Sequence, residues 1–208
     1  MKGLLLKDFY TTVKYCKQYF LIVAVFLVIS LFSTDNNLFV IIYPTLIAGV
    51  IPVTLLTCDE SDKWTQYCGA LPYTRKDFVS SKYLMGLFFG AASIAILVST
   101  YGIKTAISGS FSPFTLLTLT AVLSATGISM PSLLLPLFFK IGTGKGMLVV
   151  YVISGCLCAL AILFKDFGLQ WINPKNQLFT PFVLIAIAAI IYFISWSLSV
   201  YFYKKKDL

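Results

Sequence analysis

Six apolar segments without an ionisable side chain constrain the fold of this chain more than any other feature. A helix needs about 20 apolar residues to cross the hydrocarbon layer of a bilayer. Hydrophobic residues make up 59% of the chain and charged residues 12%, against about 25% charged in a soluble domain. We predict an all-α integral membrane protein, one transmembrane domain over residues 1–208, with six spans at about 19–34, 38–57, 83–103, 114–139, 147–164 and 181–203.

The first 17 residues predict an amphipathic helix that lies in the membrane interface. One helical face carries apolar side chains and the opposite face is polar. The apolar face has Leu6, Phe9, Val13, Cys16 and Phe20, and the polar face has Lys7, Thr11 and Lys14. The alternative is a simple extension of the first span. A cleavable signal is not predicted, because no small-residue cleavage site follows the first apolar segment.

The distribution of Lys and Arg predicts the orientation, since cytoplasmic loops are enriched in them. Thirteen fall at the two ends, in the 58–82 segment and in the loop near 140–145, against Lys104, Lys165 and Lys175 on the other side. We therefore expect a multi-pass plasma membrane protein with both termini in the cytoplasm. The net charge of +8 indicates contact with anionic membrane lipids and not with nucleic acid.

The charge-free spans argue against several functions. Ion-coupled transporters usually keep ionisable groups at membrane depth, and intramembrane proteases need catalytic pairs or a metal there. Gly142-Thr-Gly-Lys-Gly146 lacks the spacing and the Ser or Thr of a phosphate loop. Cys156 and Cys158 have no histidine partner, because the chain contains none, so we predict no metal site. Any energy source is expected outside the bilayer.

Prolines and glycines inside the spans indicate bends and close helix contacts. Pro44 and Pro52 lie in span two and Pro131 and Pro136 in span four, where each removes a backbone hydrogen bond. Such bends line cavities or merely serve packing. Gly86-Leu-Phe-Phe-Gly90 is a small-xxx-small face for contact within the subunit or between two subunits.

The polar segment from Cys58 to Lys82 separates spans two and three. Asp59 is expected to cap a short helix, Pro72 to end it, and Thr74 with Asp77 to cap the helix that enters span three. Its pattern reads Asp59-Glu60-x-x-Lys63-Trp64-x-x-Tyr67-x-x-x-Leu71-Pro72-x-Thr74-Arg75-x-x-x-Val79-x-x-Lys82-Tyr83. This pattern resembles the first cytoplasmic loop of small ABC-2-type permeases, which are six-span subunits of ATP-driven exporters. The most similar group exports phenol-soluble modulins and bacteriocin-like peptides from Gram-positive bacteria.

The resemblance implies a type V exporter-like fold in which this loop is the coupling helix that docks on a nucleotide-binding subunit. ATP and Mg would be bound by that ABC ATPase, and this chain would hold no cofactor and have no ATPase site. The resemblance also implies that 165–180 dips into the outer interface. The implied ATPase-coupling residues are Asp59, Glu60, Lys63, Trp64, Tyr67, Leu71, Pro72, Arg75, Lys76 and Asp77.

These observations predict the permease subunit of an ABC exporter, paired with a second permease that is identical or paralogous. The aromatic content of 16% suits hydrophobic or amphipathic cargo, and the resemblance favours peptides. Two alternatives remain. One is a non-transporting immunity or sensor protein that binds a toxic peptide, and the other is an ATP-independent channel or secondary carrier.

Overall fold

The computed structural model describes residues 2–32, 38–64, 67, 74–107, 109, 112–146 and 180–205, and every regular element among them is helical. The prediction of an all-α chain is confirmed for these residues. The predicted span at 147–164, the connection at 165–179 and Leu71-Pro72 lie outside them. The helices are α1 (Lys2–Tyr15), α2 (Lys17–Phe32), α3 (Leu38–Ser61), α4 (Arg75–Ile107), α5 (Pro113–Ile141) and α6 (Thr180–Lys205).

Four of these helices, α3 to α6, are long and apolar enough to cross a membrane. A fifth candidate span arises if α1 and α2 are taken together, although they are bent by 66° at the break between them. Cys16 occupies that break. The described part of the chain therefore contains four or five candidate spans, where the sequence predicts six in the whole chain.

Helix α1 lies against the bundle by a mixed stripe of one apolar and two polar residues. Leu4, Asp8 and Thr12, spaced one turn apart, are its buried residues, whereas the predicted apolar face from Leu6 to Val13 is 41–59% exposed. Cys16 departs from the helical-wheel prediction and is fully buried, because the chain bends there. Leu6, Phe9 and Val13 thus lie on the outer surface of the described bundle.

The middle of the bundle is held by small residues and prolines at close helix crossings. A Cβ on Gly49 of α3 would lie 2.7 Å from Met130 Cβ and 3.2 Å from Pro131 Cδ of α5. A Cβ on Gly86 of α4 would lie 3.2 Å from Pro52 Cγ. Gly90 differs, since a Cβ there would meet no atom within 4 Å. It lines a cleft of about 180 Å³ between α4 and α5.

One end of the bundle, termed here the polar end, consists of α1, the first turns of α4 and the last turns of α3, α5 and α6. An apolar cluster closes it, formed by Leu4, Val53, Leu56, Phe78, Val79, Tyr83, Leu135, Phe138, Phe139 and Tyr203. The hydroxyl of Tyr83, a member of this cluster, lies 2.7 Å from both Ser195 Oγ and Ser199 Oγ of α6. Buried hydroxyl contacts thus fix α4 to α6, as buried polar groups require.

Candidate functional site

Four charged side chains from three helices meet in a buried group at the polar end, termed here the charge cluster. It consists of Lys7 and Asp8 from α1, Asp59 from α3 and Lys82 from α4. Lys82 Nζ lies 2.6 Å from Asp8 Oδ1 and 2.5 Å from Asp59 Oδ2. Lys7 Nζ forms an ion pair with Asp59 Oδ1 and lies 3.4 Å from Asp8 Oδ1. Each carboxylate therefore contacts both lysines.

The charge cluster is electrically balanced, which is what its burial requires. The side chains of Lys82 and Asp8 are 0% exposed and that of Asp59 is 3% exposed, while Lys7 keeps 25%. Removing a charge from water costs several kcal/mol, and close opposite charges with further hydrogen bonds offset that cost. Ser81 Oγ adds one such bond by donating to Asp8 Oδ2 at 3.0 Å. Loss of one member leaves another charge buried without compensation.

The structure corrects the predicted role of Asp59. Asp59 lies inside α3, which continues to Ser61, so it does not cap a separate helix. Its carboxylate is bound by Lys7 and Lys82 and cannot accept from the free N–H groups of a following turn. The chain turns after α3 at Lys63, whose φ is 53°. Tyr67 N donates to Lys63 O at 3.3 Å.

The residues at and after that turn differ in exposure. Lys63 and Tyr67 are exposed, Tyr67 by 62%. Trp64 is half-buried against the apolar cluster, and Lys7 Nζ lies 4.6 Å from the centre of its ring. The rings of Trp64 and Tyr67 are 5.6 Å apart. A continuous set of contacts therefore links exposed Tyr67, through Trp64, to Lys7 of the charge cluster.

Glu60 connects the end of α3 to the turn that follows α5. Its Oε2 accepts from Thr143 N at 2.9 Å and from Thr143 Oγ1 at 2.6 Å. α5 ends at Ile141, and the next residue, Gly142, has a φ of 86°, a backbone conformation that favours glycine. Glu60 thus binds Thr143 of its own chain, a contact that the sequence analysis did not predict.

The first turn of α4 is capped as the sequence predicts. Asp77 N donates to Thr74 Oγ1 at 3.2 Å, and Thr74 N donates to Asp77 Oδ2 at 3.2 Å. This reciprocal pair of bonds is a capping box with Asp in place of Glu, and the predicted N-cap is confirmed.

Two basic residues of the same turn contact α6. Arg75 donates to Lys204 O at 2.8 Å, a carbonyl of the last turn of α6 that has no partner within the helix. Lys76 Nζ lies 5.2 Å from the centre of the Trp196 ring. Trp196 Nε1 in turn donates to Ser80 Oγ at 3.1 Å. The start of α4 and the end of α6 are therefore fixed to each other.

The structure brings most of the residues singled out by the sequence to the polar end. Asp59, Glu60, Trp64, Arg75, Lys76 and Asp77 make contacts within the chain there, while Lys63 and Tyr67 face outward. Gly86 and Gly90 lie in the middle of the bundle, and Leu71 and Pro72 lie outside the described residues.

Sequence reasoning did not predict that Lys7, Asp8 and Lys82 form ion pairs with Asp59 and one another, nor that Thr143 bonds Glu60. One signal was available, since Asp8 is the only acidic residue among the first 34. It also lies one turn from Leu4 and one turn from Thr12, which share its buried face. Within the described ranges, no three His, Cys, Asp or Glu side chains are grouped closely enough to hold a metal ion.

A family model described as ABC-2 family transporter protein matches residues 3–204, which include α1 from its second residue and all four members of the charge cluster. Searches of curated proteins and of solved structures give no match.

Proposed function

Since the chain belongs to the ABC-2 transporter family, whose members are membrane transport subunits that work with an ABC ATPase, we propose that it is the permease of an ATP-driven exporter. The cargo we propose is an amphipathic peptide. The apolar, aromatic-rich composition and the resemblance of the 59–83 segment to peptide-exporter permeases support this cargo. We further propose that a second permease, identical or paralogous, completes the translocation path.

We propose that the polar end faces the cytoplasm. Thirteen of the 16 Lys and Arg residues fall on its side of the predicted topology, as expected for cytoplasmic loops. The polar end also presents Lys63 and Tyr67 outward. A cytoplasmic ATPase would then have direct access to the turn between α3 and α4.

The observation that carries the proposal is that this turn is attached to several helices at once. Glu60 bonds Thr143 after α5, Trp64 packs beside Lys7 of α1, and Arg75 bonds the end of α6. A force applied at Lys63 and Tyr67 therefore reaches several helices through short contacts. In this refinement of the coupling hypothesis, Lys63 and Tyr67 touch the ATPase, while Glu60 and Trp64 hold the contact surface in place.

The docking assignment is tested by co-purification of the chain with its ABC ATPase from detergent-solubilised membranes. Tyr67→Ala combined with Lys63→Glu should reduce the amount of bound ATPase at least tenfold. Truncation of an aromatic hot-spot residue at a protein interface costs about 2 kcal/mol or more. Tyr10→Ala on α1, where the native side chain is 66% exposed, is the matched control and should leave binding unchanged. Full ATPase binding and full export by the double variant would contradict the assignment.

Transport itself is tested with inside-out vesicles that contain the permease and its ATPase, using a fluorescent amphipathic helical peptide. ATP should drive uptake that persists when the ion gradients are dissipated. Uptake without ATP that stops with the gradients would instead identify a secondary carrier. Peptide binding without any uptake would identify an immunity or sensor protein.

A further inference from the structure

We propose that the charge cluster is the joint that makes α1 follow the ATPase-driven movement of α3 and α4, with Asp8 and Lys82 as its positioning residues. The inference rests on the proposed exporter function for the source of the movement. It assigns to this buried group a role in transmission, distinct from docking, because Asp8 and Lys82 are fully buried and cannot touch a partner subunit.

Helix α1 depends on the charge cluster for its polar attachment. Thr11 and Thr12 donate to carbonyls of α1 itself, Lys7 O and Asp8 O. Among the residues that the structure describes, the polar contacts from α1 to other helices run through Lys7 and Asp8. The remaining attachment is apolar packing by side chains such as Leu4, which lacks the directional character of an ion pair.

The geometry of the charge cluster favours movement as one unit. Asp8 and Asp59 each contact both Lys7 and Lys82, so the two ions of α1 are matched by one ion from α3 and one from α4. Separation of α1 from these helices would break the Lys7–Asp59 and Lys82–Asp8 pairs. The buried Asp59 and Lys82 would then each lose one of their two charged partners, which is unfavourable. Displacement of the ends of α3 and α4 therefore carries α1 with it.

The charge cluster also lies next to the surface that we assign to the ATPase. Asp59 immediately precedes Glu60 in α3, and Trp64 packs beside Lys7. On its other side α1 exposes Leu6, Phe9 and Val13, the face expected to lie in the lipid interface. Movement of the joint would therefore rotate or tilt an interfacial helix, which is a rigid-body route from the ATPase to the membrane surface.

The first experiment tests whether the charge cluster holds α1. Spin labels are attached at Tyr10→Cys on α1 and Tyr201→Cys on α6, two exposed positions, in a chain whose native cysteines have been replaced. The distance between the two labels is measured in lipid nanodiscs. Asp8→Asn should lower the thermal midpoint by roughly 10 °C, because one charge loses its partner. Asp8→Asn with Lys82→Met keeps the Lys7–Asp59 pair and restores the charge balance. This double variant should regain most of the midpoint and still broaden the distance distribution.

The second experiment tests transmission with the same variants and the ABC ATPase. The double variant should bind the ATPase normally, yet move at least tenfold less peptide per ATP hydrolysed. Lys14→Met, an exposed lysine of α1, is the control and should change neither the distance distribution nor the transport ratio.

The outcomes separate the joint from the exporter proposal. A narrow, native distance distribution in the double variant overturns the assignment of Asp8 and Lys82 as the positioning residues of the joint, whatever the chain transports. A broadened distribution with an unchanged transport ratio overturns the transmission role. If the native chain shows no ATP-driven transport, the exporter proposal and the transmission role fail together, and the distances still decide whether the charge cluster holds α1.

Discussion

The polar end and the middle of the bundle are held together by different forces. At the polar end, ion pairs and hydrogen bonds join α1, α3, α4, α6 and the turn that follows α5, and Asp59 and Lys82 pair across α3 and α4. In the middle, helices cross closely at Gly49, Gly86 and Pro131. Small residues allow this close approach, and the fit between the helix surfaces holds the helices together. Lipid is as apolar as a leucine side chain, so close packing replaces the hydrophobic effect in attracting helices there.

This contrast teaches that the two regions respond to different kinds of change. The polar end is sensitive to the charge of a side chain at nearly constant volume. The middle is sensitive to volume at constant polarity. Three sets of substitutions test this difference, in order of the largest loss of stability that we expect from each set.

Asp59→Asn should have the largest effect, because it removes one charge from a buried group at almost constant volume. Lys7 and Lys82 would then share Asp8 alone, and breaking a buried ion pair costs about 3–5 kcal/mol. Thermal unfolding in detergent measures the loss. Asp62→Asn, at an exposed residue next to the end of α3, is the control and should change stability by less than about 0.5 kcal/mol. Equal effects at both positions would remove the distinction between the regions.

Gly49→Ala and Gly90→Ala make the same chemical change at two places in the middle of the bundle. At Gly49 the new methyl group would lie 2.7 Å from Met130 Cβ, so α3 and α5 must separate, with a cost of about 1–3 kcal/mol. At Gly90 no atom lies within 4 Å, and the greater helix propensity of alanine makes the change neutral or stabilising, by up to about 1 kcal/mol. Thermal midpoints of the two variants compare them directly, and a smaller loss at Gly49 than at Gly90 would refute the steric account.

Thr74→Ala should have the smallest effect of the three, since it removes an exposed cap from α4. Loss of an N-cap hydroxyl costs about 1 kcal/mol. Hydrogen exchange at the first turn of α4, around Asp77, should accelerate. Thr118→Ala is the control, because that hydroxyl donates to Thr115 O within α5 and caps no helix end. Unchanged exchange in the Thr74 variant would argue against the cap as a stabilising element.

The capping box shows which parts of this site the sequence could predict. Thr74 and Asp77 are three residues apart, so their contact is decided by local geometry that the sequence displays directly. Lys7 and Asp59 are 52 positions apart and Asp8 and Lys82 are 74 apart. Their pairing depends on how three helices are arranged, which no local pattern specifies.

The helical wheel of α1 illustrates a second limit. It predicts an apolar face and a polar one but does not say which side chains meet the protein. In the interfacial position that we propose for α1, lipid covers the apolar face, whereas a carboxylate such as that of Asp8 needs polar partners within the protein. The buried side chains of α1 are therefore Leu4, Asp8 and Thr12, and Leu6 and Phe9 remain outside.

The positions of the charge cluster along the chain have a consequence for biosynthesis. Lys7, Asp8, Asp59 and Lys82 all precede residue 83, and a chain is synthesised from its N-terminus. Their ring of ion pairs can therefore form while α5 and α6 are still to be made. The contacts of Arg75 and Tyr83 with α6 must wait for the end of translation. The membrane insertion machinery would thus release an already neutralised N-terminal unit, against which the later helices assemble.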